Sequence, residues 1–184
     1  MSRKGWIIVG VIAIFVVLGI GSYNGLVSKS VAVDSAFAQV DNVLQRRADL
    51  IPNLVSTVKG YAAHESQVFD NLAKARAQYA GSRTVPEKIA AGQQMESALA
   101  RLMVVVENYP VLKANENFAR LMDELSGTEN RISVERKRYN ESVQGFNVAI
   151  LRFPQNILAR LFGFKMKSFF EAPAESKVVP KVAF

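Results

Sequence analysis

The amino-acid sequence predicts an all-α protein: an N-terminal transmembrane helix, an antiparallel up-down-up-down four-helix bundle, and a short C-terminal amphipathic segment. Three observations predict it. Residues 5–27 carry no charged side chain, and Trp6–Ile20 within them is apolar throughout. From about residue 24 to 152, apolar residues recur at intervals of three and four, the spacing of one helix face. The prolines at 52, 86, 110, 154, 173 and 180 fall where such helices would start, bend or stop. The β-branched run Val104-Val105-Val106 sits inside a helical context and makes no convincing strand.

Trp6 and Tyr23 bracket the apolar segment, 17 positions apart. At about 1.5 Å per residue a helix separates them by about 26 Å, close to the hydrocarbon thickness of roughly 30 Å. Aromatic rings at both boundaries suit a span. The competing reading is a cleaved signal peptide that begins with Arg3 and Lys4. Its cleavage site is poorly placed: Ala36-Phe37-Ala38 has the small-x-small form, but it lies 16 residues past Ile20 and beyond Asp34. The segment is therefore read as an uncleaved anchor. Arg3 and Lys4 precede it, and Lys29 is the one basic residue in the 15 that follow it. The positive-inside rule then places the N-terminus in the cytoplasm and the bundle outside.

The first bundle helix should run from about Asn24 to Asp49 along Val33, Phe37, Val40, Val43, Leu44 and Arg47. The second should run from Pro52 to Tyr79, with a tight turn at Leu50-Ile51 between them. Pro52 suits a first helical turn, where its missing N–H does no harm. One kinked helix through Pro52 is the alternative. Thr84, with Pro86 and Glu87 behind it, should cap a third helix that bends at Pro110 and ends at Ser126-Gly127. Thr128 should cap a fourth, with stripe Ile132, Tyr139, Val143, Phe146 and Ile150, stopped by Pro154. The expected divisions are an anchor at 1–23, a bundle at 24–154, an amphipathic basic segment at 155–171, and a disordered tail at 172–184.

The chain has no Cys and a single His, which excludes disulfide frameworks, Cys zinc sites and thiol chemistry. A di-iron carboxylate site needs Glu-x-x-His pairs, but Tyr61 stands three residues before His64. No phosphate-binding loop or nucleophile elbow occurs. We therefore expect no catalysis, no cofactor, no metal and no small-molecule substrate; the alternative is an enzyme hidden in the bundle core. The net charge is +7, but residues 24–151 hold 15 basic and 14 acidic side chains, so the excess lies at the two ends. A nucleic-acid binder would carry a basic stripe on its body. That reading would require a cytoplasmic bundle.

Candidate sites follow from charge and shape. At the membrane interface stand Trp6 and Tyr23, with Arg160, Phe162, Phe164, Lys165, Lys167, Phe169 and Phe170 in a basic, apolar strap. The strap either lies in the headgroups or packs on the bundle as a fifth helix. Arg46, Arg47 and Asp49 either cap the first helix or form a recognition tip. Asn108, Tyr109, Asn115 and Asn147 belong to a set of polar residues on the third and fourth helices. They suit hydrogen bonds between helices or a partner face. Val182 and Phe184 end an extended apolar tail that a partner's sheet edge or groove could take. The expected partners are membrane lipid through the anchor and a protein or a second copy of the chain.

Several runs carry a family resemblance. They are Arg46–Val55 (RRADLIPNLV), residues 57–62 (TVKGYA) with His64-Glu65, Glu107–Phe118 (ENYPVLKANENF), Leu125–Ile132 (LSGTENRI), Arg138-Tyr139-Asn140, Asn147 and Arg152-Phe153-Pro154. In this order they resemble the LemA family over residues 22–171. The resemblance implies a bacterial membrane protein with one N-terminal span and a helical-bundle domain, and it implies no enzyme activity. A related bundle in magnetosome-associated proteins implies membrane organisation by analogy of fold.

Overall fold

The computed structural model describes residues 3–62 and 64–171. Among the described residues it is all-helical, with 85% of them in helix and no strand. The helices are α1 (Arg3–Lys59), α2 (Ser66–Gly81), α3 (Val85–Val106), α4 (Pro110–Lys113), α5 (Glu116–Leu151) and α6 (Gln155–Leu161). The described residues form two compact units: residues 3–36 with 137–169, and residues 37–136 with 170 and 171. The long helices α1 and α5 each contribute a part to each unit.

The expected turn at Leu50-Ile51 does not form; α1 passes through Pro52 and ends at Lys59. A proline inside a helix strips the carbonyl four residues earlier of its N–H partner. Here that carbonyl belongs to Ala48, and the Arg76 Nε–H of α2 donates to it at 3.0 Å. The stripe Leu44, Ala48, Ile51, Leu54 and Val58 is buried without interruption across the proline. Burial of those side chains, at about 1.5–3 kcal/mol for each large one, outweighs the proline penalty of roughly 3 kcal/mol. The chain turns later, at Gly60–Glu65.

The Thr84 cap forms as expected. Its hydroxyl accepts from the Glu87 N–H while the Glu87 carboxylate accepts from the Arg83 and Thr84 N–H groups, a complete capping box. Those backbone donors hold the Glu87 carboxyl below its ordinary pKa. The single third helix expected through Pro110 is instead three pieces. Tyr109 takes an extended φ of −121° before the proline. Asn115 then starts α5 by accepting from the Asn117 and Phe118 N–H groups.

Ser126-Gly127 does not end a helix and Thr128 caps nothing, because α5 continues through both. The Thr128 hydroxyl donates to the Leu125 carbonyl at 2.7 Å, within the helix. Leu125, Thr128 and Ile132 are buried at three- and four-residue spacing, and that packing outweighs about 1 kcal/mol of glycine penalty at Gly127. At the far end, α6 is only seven residues long. It stops at Gly163, whose φ of 74° favours glycine, as the Phe164 N–H reaches the Ala159 carbonyl at 2.9 Å. Residues 162–171 are then non-helical, so the strap is not one continuous helix.

Candidate interaction surfaces

In the unit that holds residues 1–36, α1 presents an apolar face to the surroundings. Its N-terminal part is long and apolar enough to cross a membrane, and none of the described residues buries it. Trp6 is 68% exposed at one end. At the other end Tyr23 meets the Phe162 ring at 4.6 Å and the Phe164 ring at 6.0 Å. Phe164 in turn meets Phe146 of α5 edge-on at 6.2 Å.

The strap beyond α6 is tied to α5 along its length. Asn147 is buried, and its amide pairs with one peptide group. Its Nδ2 donates to the Lys167 carbonyl and its Oδ1 accepts from the Lys167 N–H, both at 2.9 Å. The Tyr139 hydroxyl donates to the Ser168 carbonyl at 2.8 Å. Burial and the nearby Asp34 carboxylate raise the Tyr139 pKa. The Lys167 ammonium reaches Asp34 of α1 at 2.6 Å. Of the residues expected at the membrane interface, Arg160, Phe162, Lys165 and Phe169 are exposed, while Tyr23, Phe164 and Lys167 are half-buried. In the other unit, Phe170 is buried with the Arg136 guanidinium over its ring at 4.4 Å.

That other unit is built around charged side chains of α1. Asp41 accepts from the Tyr79 hydroxyl at 2.6 Å and pairs with the Lys88 ammonium, joining α1 to α2 and α3. Burial first, then Asp41, pushes the Tyr79 phenol far above its usual range. Near Asp41, Gly92 of α3 lies so close to Leu44 that an added Cβ would meet its Cδ1 at 3.3 Å. Arg47 is 4% exposed, donates to Thr128 Oγ1 and pairs with Glu129. It therefore joins α1 to α5. The expected capping of helix carbonyls by Arg46, Arg47 and Asp49 fails because the helix does not end there. Asp49 accepts from Gln45, and Arg46 lines a shallow hollow with Glu124, Thr128 and Arg131.

A second polar cluster gathers the loops of the same unit. The Tyr109 hydroxyl donates to Glu65, and Asn115 Nδ2 donates to the Tyr61 hydroxyl at 3.0 Å. Asn108, His64 and Val111 are exposed beside them in sequence. Tyr109 and Asn115 therefore each tie their segment to the turn after α1, and Asn108 is exposed to solvent. The two clusters, around Arg47 and around Tyr61, share no residue. Val182 and Phe184 lie outside the described residues, as does the rest of the expected tail.

Sequence reasoning missed Arg76, Asp41, Tyr79 and Glu129. The one signal for Arg76 was a charged residue between Leu72 and Tyr79 on a buried stripe.

The model of the LemA family matches residues 36–184. The chain belongs to the LemA family. Curated relatives include magnetosome proteins MamQ 1 and MamQ 2 of Paramagnetospirillum magneticum and MamQ of Magnetospirillum gryphiswaldense. Each is 28% identical over 179 residues, covering 83% of this chain and 66% of the relative. The chain thus spans just under two thirds of those relatives' length. This LemA-family chain is a membrane-associated helical protein.

Proposed function

We propose that this LemA-family chain is a single-pass membrane protein whose helices form an antiparallel, up-down-up-down bundle serving as an interaction or scaffold module at the membrane surface. The N-terminus is cytoplasmic and the bundle is exported. The observation that carries the reading is the continuity of α1: one helix, Arg3–Lys59, holds both the exposed apolar span and a buried stripe of the packed unit.

The bundle arrangement draws support from paired contacts. On α1, Asp41 faces Tyr79 and Ala48 faces Arg76, so α2 descends as α1 rises. Asp41 faces Lys88 and Leu44 faces Gly92, so α3 rises with α1. The functional divisions are the anchor 1–23, bundle 24–154, basic segment 155–171 and tail 172–184. Relatives named for a cellular body, the magnetosome, support a part in an assembly. Arg46, Asp49 and Asn108 offer the exposed polar groups for a protein partner or a second copy. Arg47, Tyr109 and Asn115 hold the elements beneath them, and Val182 and Phe184 end an apolar sequence that a partner's groove could take. No catalysis, cofactor, nucleic acid or small-molecule substrate enters this reading.

The test is a photo-crosslinking scan in living cells at Arg46, Asn108 and Val111, with exposed Lys74 as comparator. Discrete adducts at the first three and none at Lys74 support the interaction module. The same result at all four positions contradicts it.

A further inference from the structure

The unit that holds the span also carries a concentrated apolar surface that none of the described residues covers. Leu151 is 63% exposed, Phe153 80%, Ile157 59%, Leu161 74% and Phe162 55%. Five large apolar side chains within 12 residues are unusual on a surface that faces water. They occupy the end of α5, the connection after it, and α6. Exposed Arg152, Arg160 and Lys165 are interleaved with them, and no acidic residue occurs between 142 and 170.

Two contacts fix the level of this surface against α1. Tyr23, the residue at the end of the span, touches Phe162 directly. The Phe164 ring lies tilted between those of Tyr23 and Phe146, while Tyr139, two turns earlier on α5, is tied to Ser168 beside the Lys167–Asp34 pair, so the last residues of α5 continue toward the span. The turn at Gly163 and the Asn147 clamp on Lys167 fix the chain on either side of Phe164. An apolar face flanked by cations, held where a helix leaves the hydrocarbon, matches the composition of segments that lie in the headgroup layer.

We propose that residues 151–165 form a collar that lies in the headgroup layer of the leaflet from which α1 emerges, with Phe153, Ile157 and Leu161 inserted below the phosphates and Arg152, Arg160 and Lys165 paired with anionic phospholipid headgroups. The inference rests on α1 as the membrane span and adds a second, monotopic contact. It gives the protein a fixed rotation and tilt on the bilayer, which a single span alone does not supply.

The chain has no cysteine, so single cysteines report cleanly. The full chain is reconstituted in phosphatidylcholine vesicles with and without phosphatidylglycerol, carrying Phe153→Cys, Ile157→Cys or Leu161→Cys with an environment-sensitive fluorophore. Ile12→Cys reports the span and Gln144→Cys reports exposed α5. All five side chains are exposed, so the fold does not depend on them. Lipids bearing a shallow nitroxide should quench the three collar labels about fivefold more than the label at position 144, with the anionic lipid increasing the effect. Replacing Arg152, Arg160 and Lys165 with Gln should remove that increase. Quenching at position 12 with the collar labels no stronger than position 144 overturns the collar and leaves the anchor. No quenching at position 12 overturns both. Collar labels shielded from the lipid nitroxide and from aqueous iodide alike would reveal a protein occupant, and would also overturn the proposal.

Discussion

Arg76 is the side chain that satisfies the carbonyl α1 leaves open at Pro52. Its donation to the Ala48 carbonyl replaces the bond that Pro52 cannot make. Arg76→Met should cost about 1–3 kcal/mol, the penalty of an orphaned, partly buried acceptor. Pro52→Ala restores an N–H to that carbonyl, so it should cancel most of the loss. Urea unfolding of the two single variants and the double variant checks this, and additive effects would refute the pairing. A local pattern made the Thr84 box legible, since a capping residue and Glu87 stand three apart. The Arg76 contact was illegible because its partner lies 28 positions away and is a backbone atom. The box also sets an acid dependence. Glu87 is held below its ordinary 4.5 in the folded chain by the two N–H groups it accepts from. Its contribution is therefore present above pH 4.5 and fades as pH falls through the depressed folded value. Glu87→Gln should flatten the fall in melting temperature below pH 4.5 relative to the parent chain.

At the scale of elements, boundaries are decided by what the neighbours bury and satisfy, more than by the residues at the boundary itself. Pro52 reads as a helix start and Ser126-Gly127-Thr128 as a stop and start, yet α1 and α5 run through both. Pro110 and Gly163 do interrupt the chain: Tyr109 is extended before the proline, and Gly163 takes a φ of 74° that favours glycine. Gly127 offers a direct test. A Cβ added there would meet nothing within 4 Å, inside a continuous helix. Gly127→Ala should therefore stabilise the protein by about 0.5–1 kcal/mol in thermal or urea unfolding. Destabilisation would mean that the chain turns at this residue after all. The strap offers a second test. Asn147→Leu leaves the peptide N–H and carbonyl of Lys167 without their partners. Hydrogen exchange at residues 164–169 should then rise by about tenfold or more, while α3 keeps its protection.

For the whole molecule, the apolar span was legible from composition alone, since residues 5–27 hold no charge. The partition into two units was not. The unit that holds the span joins segments 100 residues apart (36 to 137), and no local pattern announces that α1 and α5 change unit near Phe37 and Arg136. The arrangement of Tyr23, Phe162 and Phe164 was half legible. Their types suited a membrane boundary, but only the fold shows that they touch. The central claim is that one uninterrupted helix carries an exported helical module on a single membrane span. Paired topology reporters fused after Phe184, one active only outside the cytoplasm and one only inside, test it most directly in living cells. The account predicts signal from the outside reporter alone, lost when residues 5–23 are deleted. Signal from the inside reporter alone would contradict it.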